Sequence, residues 1–354
     1  MIIEKEKFTK SDLLKWMKCE DKKELENLYR RAYEVKLNHT GNKVFLRGLI
    51  EFSNICRGNC KYCGIRRDNL LERYIMPEDE IIECALWAYK NKYGSVVLQS
   101  GERRDREFIN FVDNIVKRIR KVTEDNLRVV LCVGEQDYDT YDRWFKSGSH
   151  RYLLRIETTS EKLYRELHPE DSTLRERIAC LEDLRKVGYQ VGTGVMIGLP
   201  GQTEEDLVED IQFFKDIDVD MIGMGPYLPH KETPLYSISL NSEEEIKKRL
   251  TLSLKMIALT RIYLEDVNIA ATTALQAANP LGREMGLSCG ANVIMPNITP
   301  TKYRKNYHLY DNKPCLNEAS DECKSCIEKR VKSIGDEIAF DETGDSLHFK
   351  RRQK

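Results

Sequence analysis

Three cysteines with a distinctive spacing stand just after an apolar, strand-like segment at residues 44–53. Cys56, Cys60 and Cys63 form a C-x3-C-x2-C pattern within eight residues. Three thiolates can bind three irons of a 4Fe–4S cluster and leave the fourth iron without a protein ligand. A metal with an open position can bind and activate a substrate. The spacing therefore predicts a catalytic iron–sulfur cluster at these cysteines.

Two other chemistries fit three neighbouring thiols, namely a zinc site and a group of reactive cysteines. Structural zinc normally takes four ligands. No fourth Cys or His lies close by in the sequence, since His39 stands before the strand-like segment. The ligand count therefore favours an iron–sulfur cluster over zinc.

The composition of the chain excludes several classes of protein. Its 354 residues carry 57 Lys and Arg against 58 Asp and Glu, so we expect neither a nucleic-acid nor a membrane partner. The N-terminus is charged from residue 4 without an apolar signal region, and no run approaches the ~18 apolar residues of a membrane span. Eleven cysteines in such a chain indicate metal or redox chemistry in the cytoplasm rather than a disulfide framework.

The elements that must position the cysteines alternate between strand-like and helix-like segments. A helix is predicted over residues 11–36, where Leu and aromatic residues recur at helical spacing. Eight short apolar runs follow, as expected of buried parallel strands, at residues 44–53, 95–100, 127–134, 151–157, 190–197, 221–225, 267–273 and 291–296. Helical patterns separate them at residues 78–91, 106–122, 173–187, 204–216 and 243–263.

Strand followed by helix, repeated eight times, predicts an α/β fold. We expect a (β/α)8 TIM-type barrel with N-terminal helices and a C-terminal cysteine-containing extension. The N-terminal helical segment would span residues 1–40, the barrel 41–311, and the extension, packed on the barrel, 312–354. A (β/α)6 partial barrel with an extra domain is the alternative. We prefer full closure because the seventh and eighth runs are as strand-like as the first six.

The active site of such a barrel forms at the carboxyl ends of its strands, and these ends are polar here. They carry Ser100 and Glu102 after the second run, Glu135 after the third, Arg155 and Glu157 in the fourth, GLPGQT (residues 198–203) after the fifth, and Thr272 and Thr273 in the seventh. Each also has a plain structural interpretation. Arg155 and Glu157 could form only an ion pair, and GLPGQT only a turn and helix cap. Their common position at the rim favours a binding role.

A second cysteine group, C-x7-C-x2-C, comprises Cys315, Cys323 and Cys326. It could hold an auxiliary iron–sulfur cluster, of the 2Fe–2S or 4Fe–4S type, or a zinc ion, or consist of idle thiols. The remaining cysteines are isolated, and we interpret each as a small buried hydrophobic residue: Cys19, Cys84, Cys132, Cys180 and Cys289.

Seven segments of the chain together resemble a known family. They are IEFSNICRGNCKYCGIRRDN (residues 50–69), LQSGE (98–102), RYLLRIET (151–158), GLPGQT (198–203), GMGPYLPH (223–230), ATTALQ (271–276) and CGANVIMPN (289–297). In this order they resemble the HydE family of FeFe-hydrogenase maturases, which are radical S-adenosylmethionine (SAM) enzymes. The similarity covers roughly residues 10–335, and biotin synthase and methylornithine synthase are more distant relatives.

The resemblance implies a 4Fe–4S cluster at the three cysteines, whose open iron binds the amino and carboxylate groups of SAM. One electron from the cluster would break a sulfur–carbon bond of SAM and give a 5′-deoxyadenosyl radical, so the chain would be an enzyme. The residues that it implies to bind SAM are Arg155, Glu157 and Arg177; Tyr62, within the cysteine motif, and Ser100 and Glu102, at the end of the second run, are further candidates for SAM binding. The residues implied to line the substrate cavity are Thr272, Thr273, Tyr303 and Tyr307.

The resemblance also implies a role in assembling the diiron subsite of the hydrogenase H-cluster. The substrate would be a small organometallic molecule, an iron–cysteine complex bearing CO and cyanide, which a sister maturase supplies. Sister maturases and an electron donor are therefore the expected partners. The second cysteine group would match an auxiliary cluster that only some members of the family keep.

Two positions depart from the family pattern. Arg103 follows Gly101 and Glu102 where members often have Asp, and Ile156 stands where a His is common. Both could alter the SAM pocket or the fit of the substrate. They leave open a radical SAM amino-acid mutase like methylornithine synthase, or a sulfur-inserting synthase like biotin synthase.

A non-enzymatic electron carrier or cluster scaffold is a further alternative. A pure electron carrier would be expected to bind all four irons of its cluster through cysteine. A barrel of this size is also larger than an electron carrier needs, so we favour an enzyme.

Overall fold

The structure is a computed structural model that describes residues 8–317 and 320–354, without the side chains of residues 321–323. Within these residues no helix is both long enough and apolar enough to cross a bilayer.

Two helices, not one, precede the barrel. The helical segment predicted at residues 11–36 folds into α1 (Lys10–Met17) and α2 (Lys22–His39), in line with the N-terminal helices expected before the barrel, although the break between them was not predicted. The helices are separate because Asp21 starts α2 as its N-cap, with its carboxylate accepting the backbone N–H of Glu24. The apolar periodicity continues across the break, so it did not reveal the cap.

Eight parallel strands form the barrel. They are β1 (Lys43–Ser53), β2 (Ser95–Ser100), β3 (Arg128–Cys132), β4 (Ser149–Leu153), β5 (Gln190–Thr193), β7 (Met221–Ile222), β9 (Asn268–Ile269) and β10 (Val293–Ile294). Two further short strands, β6 (Met196–Ile197) after β5 and β8 (Gly225–Pro226) after β7, pair with each other in parallel. A parallel bridge between Ala270 and Val293 joins β9 to β10 and closes the ring. The predicted eight-stranded barrel is confirmed.

The side chains of β1 alternate between the two faces of the barrel wall. Val44, Leu46, Ile50 and Phe52 are at most 2% exposed and pack in the core between strands and helices. Leu49, at an odd position, belongs to a separate small apolar cluster together with Val97, Val130 and Met221 from other strands. The odd positions of β1 therefore face the barrel axis, where a substrate would enter.

Several predicted strands are shorter than expected. The seventh run was predicted to reach residue 273, but its ladder ends at Ile269, and Thr273 begins a helix. Close packing of the chain near β5 and β7 contributes to the short ladders. A Cβ on Gly194 would lie 1.8 Å from the carbonyl oxygen of Gly223, so the backbones approach more closely than side chains would allow.

The helices surround the barrel, and each of the five predicted between strands begins and ends within one residue of its predicted bounds. In chain order they are α3 (Glu78–Lys90), α4 (Arg106–Val122), α5 (Tyr138–Lys146), α6 (Glu161–Leu167), α7 (Leu174–Val187), α8 (Glu204–Asp216), α9 (Glu243–Leu264), α10 (Thr273–Ala278), α11 (Gly282–Ser288) and α12 (Thr301–Arg304). GLPGQT forms the turn before α8, and Thr203 caps that helix through a capping box.

The C-terminal extension packs on the barrel and enters its amino-terminal end. It contains α13 (Ser320–Ser333), β11 (Glu337–Ile338), which pairs with β1, and α14 (Leu347–Arg352). Between β11 and α14, Asp345 accepts hydrogen bonds from Arg151 of β4 and Gln190 of β5. The extension therefore covers one end of the barrel. The domain boundaries at residues 40 and 311 stay a prediction.

Candidate active site

The three predicted ligand cysteines lie together on the loop that follows β1. The backbone N–H groups of Gly58 and Glu102 each point at the Cys56 sulfur from 3.3 Å. A Cβ on Gly101 would lie 2.7 Å from the Cβ of Cys56, so the β2 end must be glycine to approach this closely. The loop therefore offers backbone donors to a sulfur that carries negative charge.

Burial keeps these cysteines protonated when no metal is bound. Burial and the neighbouring Cys56 thiol raise the pKa of Cys60 to about 12, and burial also raises the pKa values of Cys56 and Cys63. Reactive thiols have lowered pKa values, so this arrangement does not suit a nucleophilic cysteine. A bound metal deprotonates its thiol ligands, which fits a metal cluster. Among residues 8–317 and 320–354, no three Cys, His, Asp or Glu converge on a single metal ion.

Arg155 and Glu157 form a bidentate ion pair beside the cysteine loop. The Nε of Arg155 lies 3.0 and 3.1 Å from the two carboxylate oxygens of Glu157, and Nη2 lies 2.9 Å from Oε2. Glu157 has a φ of +66°, a strained conformation for a residue with a side chain. The strand end thus presents a fixed carboxylate and a fixed guanidinium next to each other.

A cavity of about 140 Å³ lies between the cysteine loop and the strand ends. It brings together four predicted residues, Tyr62, Arg155, Glu157 and Thr272, with Cys63 of the cysteine motif. The other lining residues are largely apolar: Met196, Gly225, Pro226, Tyr227, Leu228, Ala274, Leu309 and Tyr310. A cavity that combines one charged pair with apolar walls can bind a charged molecule and exclude water.

A network of charges connects the remaining predicted SAM residues to this cavity. Glu135 contacts both Arg104 and Arg177, and its backbone N–H donates to Glu102 at 3.1 Å. Arg177 donates in turn to the carbonyl oxygen of Arg155 at 2.6 Å. Arg177 and Glu102 therefore support the cavity wall. Ser100 donates to the carbonyl of Gly101, within its own turn.

The structure places three predicted substrate residues away from the cavity lining. Tyr303 stacks on Tyr74 with ring centroids 4.8 Å apart, and Thr273 accepts a hydrogen bond from Arg283. Tyr307 is 1% exposed, and its hydroxyl accepts from Gln99. Tyr310 lines the cavity instead. The residues after α12 have no periodic pattern, so no sequence signal indicated Tyr310, and the role of the other three stays a prediction.

Two buried arginines that sequence reasoning missed lie deeper in the barrel. Arg47 of β1 and Arg151 of β4 are 3% and 0% exposed. Among the described residues the only carboxylate that pairs with Arg151 is Asp345, and Arg47 contacts the Met221 sulfur and the carbonyl oxygen of Gly344. Three of their N–H groups, Arg47 Nε and Arg151 Nε and Nη1, have no partner. In the sequence, the signal for each would have been an arginine within an apolar run. Together the two arginines place positive charge inside the barrel.

Both departures from the family pattern point away from the cavity. Ile156 is fully buried in the core. Arg103 pairs with Asp105 through two bonds of 2.8 Å and lies over the ring of Phe108. Neither side chain is positioned to alter the lining of the cavity.

The second cysteine group is only partly visible. Cys315 is partly buried with a φ of +62°, and Cys326 is exposed on α13. The side chain of Cys323 lies outside the described residues, so an auxiliary cluster stays a prediction. Of the isolated cysteines, Cys84 and Cys289 are buried as predicted, whereas Cys19, Cys132 and Cys180 are only partly buried.

Comparisons with known proteins point in the same direction. The pattern of the radical SAM superfamily matches residues 50–214. The chain is 44% identical to the FeFe hydrogenase maturase subunit HydE of Thermotoga maritima, over 94% of this chain and 92% of that protein. It is 28% identical to 3-methylornithine synthase of Methanosarcina acetivorans, over 96% and 92% of the two chains.

Solved structures show a similar fold. Methylornithine synthase superposes with a TM-score of 0.82 at 25% identity, covering 95% of both chains. The FeFe-hydrogenase maturase HydG from Carboxydothermus hydrogenoformans superposes with a TM-score of 0.77 at 20% identity, covering 94% of this chain and 76% of that one. The second likeness concerns the fold alone.

Proposed function

We propose, for a chain that belongs to the HydE family of FeFe-hydrogenase maturases within the radical SAM superfamily, that the cavity beside the cysteine loop is the active site. The chain is an enzyme of a class that generates 5′-deoxyadenosyl radicals and acts in H-cluster maturation. The observation that carries the assignment of the site is that Cys63 and the Arg155–Glu157 pair line one cavity.

The residues of the loop fit a 4Fe–4S cluster with SAM. Cys56, Cys60 and Cys63 would hold three irons, and two backbone N–H groups already face the Cys56 sulfur. When bound, the cluster and SAM supply one electron and a 5′-deoxyadenosyl radical. The protein positions and shields this chemistry.

The charged pair is suited to SAM, which carries an ammonium, a carboxylate and a ribose diol. Glu157 would accept hydrogen bonds from the ammonium or the ribose hydroxyls, while Arg155 would pair with a carboxylate. Glu157 is 7% exposed, so its interactions are screened little by solvent. Tyr62, Met196 and Tyr227 would exclude water from the same space.

We infer that the substrate is anionic and binds deeper in the barrel, as an iron–cysteine complex bearing CO and cyanide would. Arg47 and Arg151 support this, because buried N–H groups without partners favour a negatively charged ligand. Thr272 and Tyr310 add hydroxyl groups to the lining of the cavity beside Cys63. Sister maturases and an electron donor are the proposed partners, and the cytoplasm the proposed compartment.

The first experiment tests for radical chemistry under anaerobic conditions. The protein is reconstituted with iron and sulfide, reduced with dithionite and mixed with SAM, and 5′-deoxyadenosine is measured. We expect product from the wild type and from Cys19→Ala, a control cysteine between α1 and α2, but none from Cys60→Ala. Equal product from Cys60→Ala would contradict the assignment of the cluster.

A methylornithine synthase-like activity is the second candidate, because that fold covers 95% of the chain at a TM-score of 0.82. Incubating the reconstituted enzyme with lysine and SAM tests it. Conversion of lysine would favour a mutase. Recovery of hydrogenase maturation in an extract that lacks its own maturase would favour the maturase.

A further inference from the structure

We propose that Arg73 is a positioning residue for the cluster, because its guanidinium ties together the two ends of the cysteine loop. The inference rests on the proposed function, in which Cys56, Cys60 and Cys63 hold the cluster. Arg73 lies ten residues beyond Cys63, between the loop and α3. It belongs to no part of the cavity described above.

The guanidinium of Arg73 donates to five backbone carbonyl oxygens. Nη1 lies 2.7 Å from the carbonyl oxygen of Asn54 and 2.8 Å from that of Ile65. Nη2 lies 2.6 Å from the carbonyl oxygen of Arg66 and 3.1 Å from those of Arg67 and Asn69. One side chain therefore accounts for carbonyls both before Cys56 and after Cys63.

The loop needs such a partner because it has no regular secondary structure of its own. Residues 54–70 contain neither a helix nor a ladder strand, so their carbonyls have no regular backbone donors. Asn54 precedes Cys56 by two residues and Ile65 follows Cys63 by two. By binding both positions, Arg73 holds together the two ends of the segment that carries all three thiols.

Lysine could not replace this arrangement. The guanidinium is a planar fork with five donors, whereas an ammonium is a compact charge with three. A single ammonium nitrogen with three N–H groups cannot serve all five carbonyl oxygens that Nη1 and Nη2 bind together. The arginine-to-lysine substitution therefore keeps the charge and loses part of the clamp.

The charge of Arg73 also bears on the cluster. Its guanidinium binds the carbonyl oxygens of Asn54 and Ile65, each two residues from a ligand cysteine, so the cation lies beside the cysteine loop. A cation close to two ligand sulfurs offsets the negative charge of a reduced cluster. Net charge and hydrogen bonding near the sulfurs set the reduction potential of such clusters. Removing the cation should make the potential more negative.

Two variants separate the clamp from the charge, with Arg67→Lys as the matched control. Arg67 lies in the same loop, its side chain is 61% exposed and it pairs with Asp68. In the metal-free chain we expect Arg73→Lys and Arg73→Gln to be cleaved within residues 54–73 at least about tenfold faster than wild type, and Arg67→Lys at the wild-type rate. Wild-type cleavage of Arg73→Lys would overturn the clamp.

Iron and sulfide content after reconstitution and the midpoint potential of the cluster complete the test. We expect both Arg73 variants to bind less iron, and only Arg73→Gln to show a more negative potential. An unchanged potential in Arg73→Gln would overturn the electrostatic part. If Cys60→Ala also bound a full cluster, the proposed function would fail, while the cleavage rates would still decide the role of Arg73.

A measurement on the wild type serves if both Arg73 variants fail to fold. Phenylglyoxal reacts with accessible guanidinium groups, and peptide mapping locates the modified arginines. We expect Arg67 to react and Arg73 to be protected by its five carbonyl partners. Modification of Arg73 as fast as Arg67 would overturn the inference.

Discussion

Among the described residues, Asp345 is the only carboxylate that pairs with Arg151 inside the barrel, and Asp345→Asn is the perturbation we develop in most detail. Arg151 is completely buried, whereas the Asp345 side chain is 20% exposed. The Arg151 guanidinium, together with hydrogen bonds from Gln190 and Thr343, holds the pKa of Asp345 well below its usual range although burial opposes this. The carboxylate therefore remains ionised across the neutral range.

The substitution keeps the shape of the side chain but leaves the Arg151 charge buried and uncompensated. Breaking a buried pair from one side costs about 3–5 kcal/mol. Two N–H groups of Arg151 already have no partner, so the remaining contacts cannot take over. For a chain of 354 residues the loss corresponds to a fall in Tm of roughly 4–7 °C.

Glu342→Gln is the matched control, because Glu342 lies in the same segment and pairs with Lys43 at the surface. The two side chains of that pair are 41% and 50% exposed, so its loss should cost no more than ~1 kcal/mol and diminish with added salt. Thermal unfolding of the anaerobically purified proteins, followed by circular dichroism at low and high salt, measures the loss of stability in both variants. A loss in Asp345→Asn as small as in Glu342→Gln would refute the reasoning.

Three further predictions follow from single contacts. His348 contacts Asp266 and Asp218, which raise its pKa in the folded state. The stabilising effect of the charged imidazole is therefore present below about pH 6.5 and is lost as the pH rises through the pKa of the folded state. The Tm difference between wild type and His348→Gln should shrink over that rise. Burial raises the pKa of Asp210 to about 7, although Thr159 opposes the shift, so wild type should lose stability relative to Asp210→Asn as the pH rises from about 4 to about 7 and then level off; equal pH profiles of the Tm would argue against this. Tyr310→Phe should leave SAM cleavage without substrate unchanged but raise the KM for substrate, which parallel assays of 5′-deoxyadenosine and maturation would measure.

The repeating pattern of the chain made much of the fold predictable. Buried parallel strands are continuous apolar runs, and the helices between them have amphipathic spacing and capping residues, so both signals are local. The helix Arg106–Val122 was predicted at both ends. The break between α1 and α2 was missed, because the capping role of Asp21 becomes evident only once the chain turns there.

The sequence by itself determined the cluster-binding loop, since three cysteines within eight residues must lie together wherever the loop lies. It also predicted that Arg155 and Glu157 could pair, but β4 ends at Leu153, so their pairing is set by the turn after the strand, where Glu157 has a φ of +66°. Only the tertiary structure decided which distant residues complete the site. Arg151 meets Asp345 across 194 residues, a contact that depends on closure of the barrel. Arg73 and Tyr310 likewise lie in loops without a periodic sequence pattern, and the packing of the whole chain determines which residues they contact.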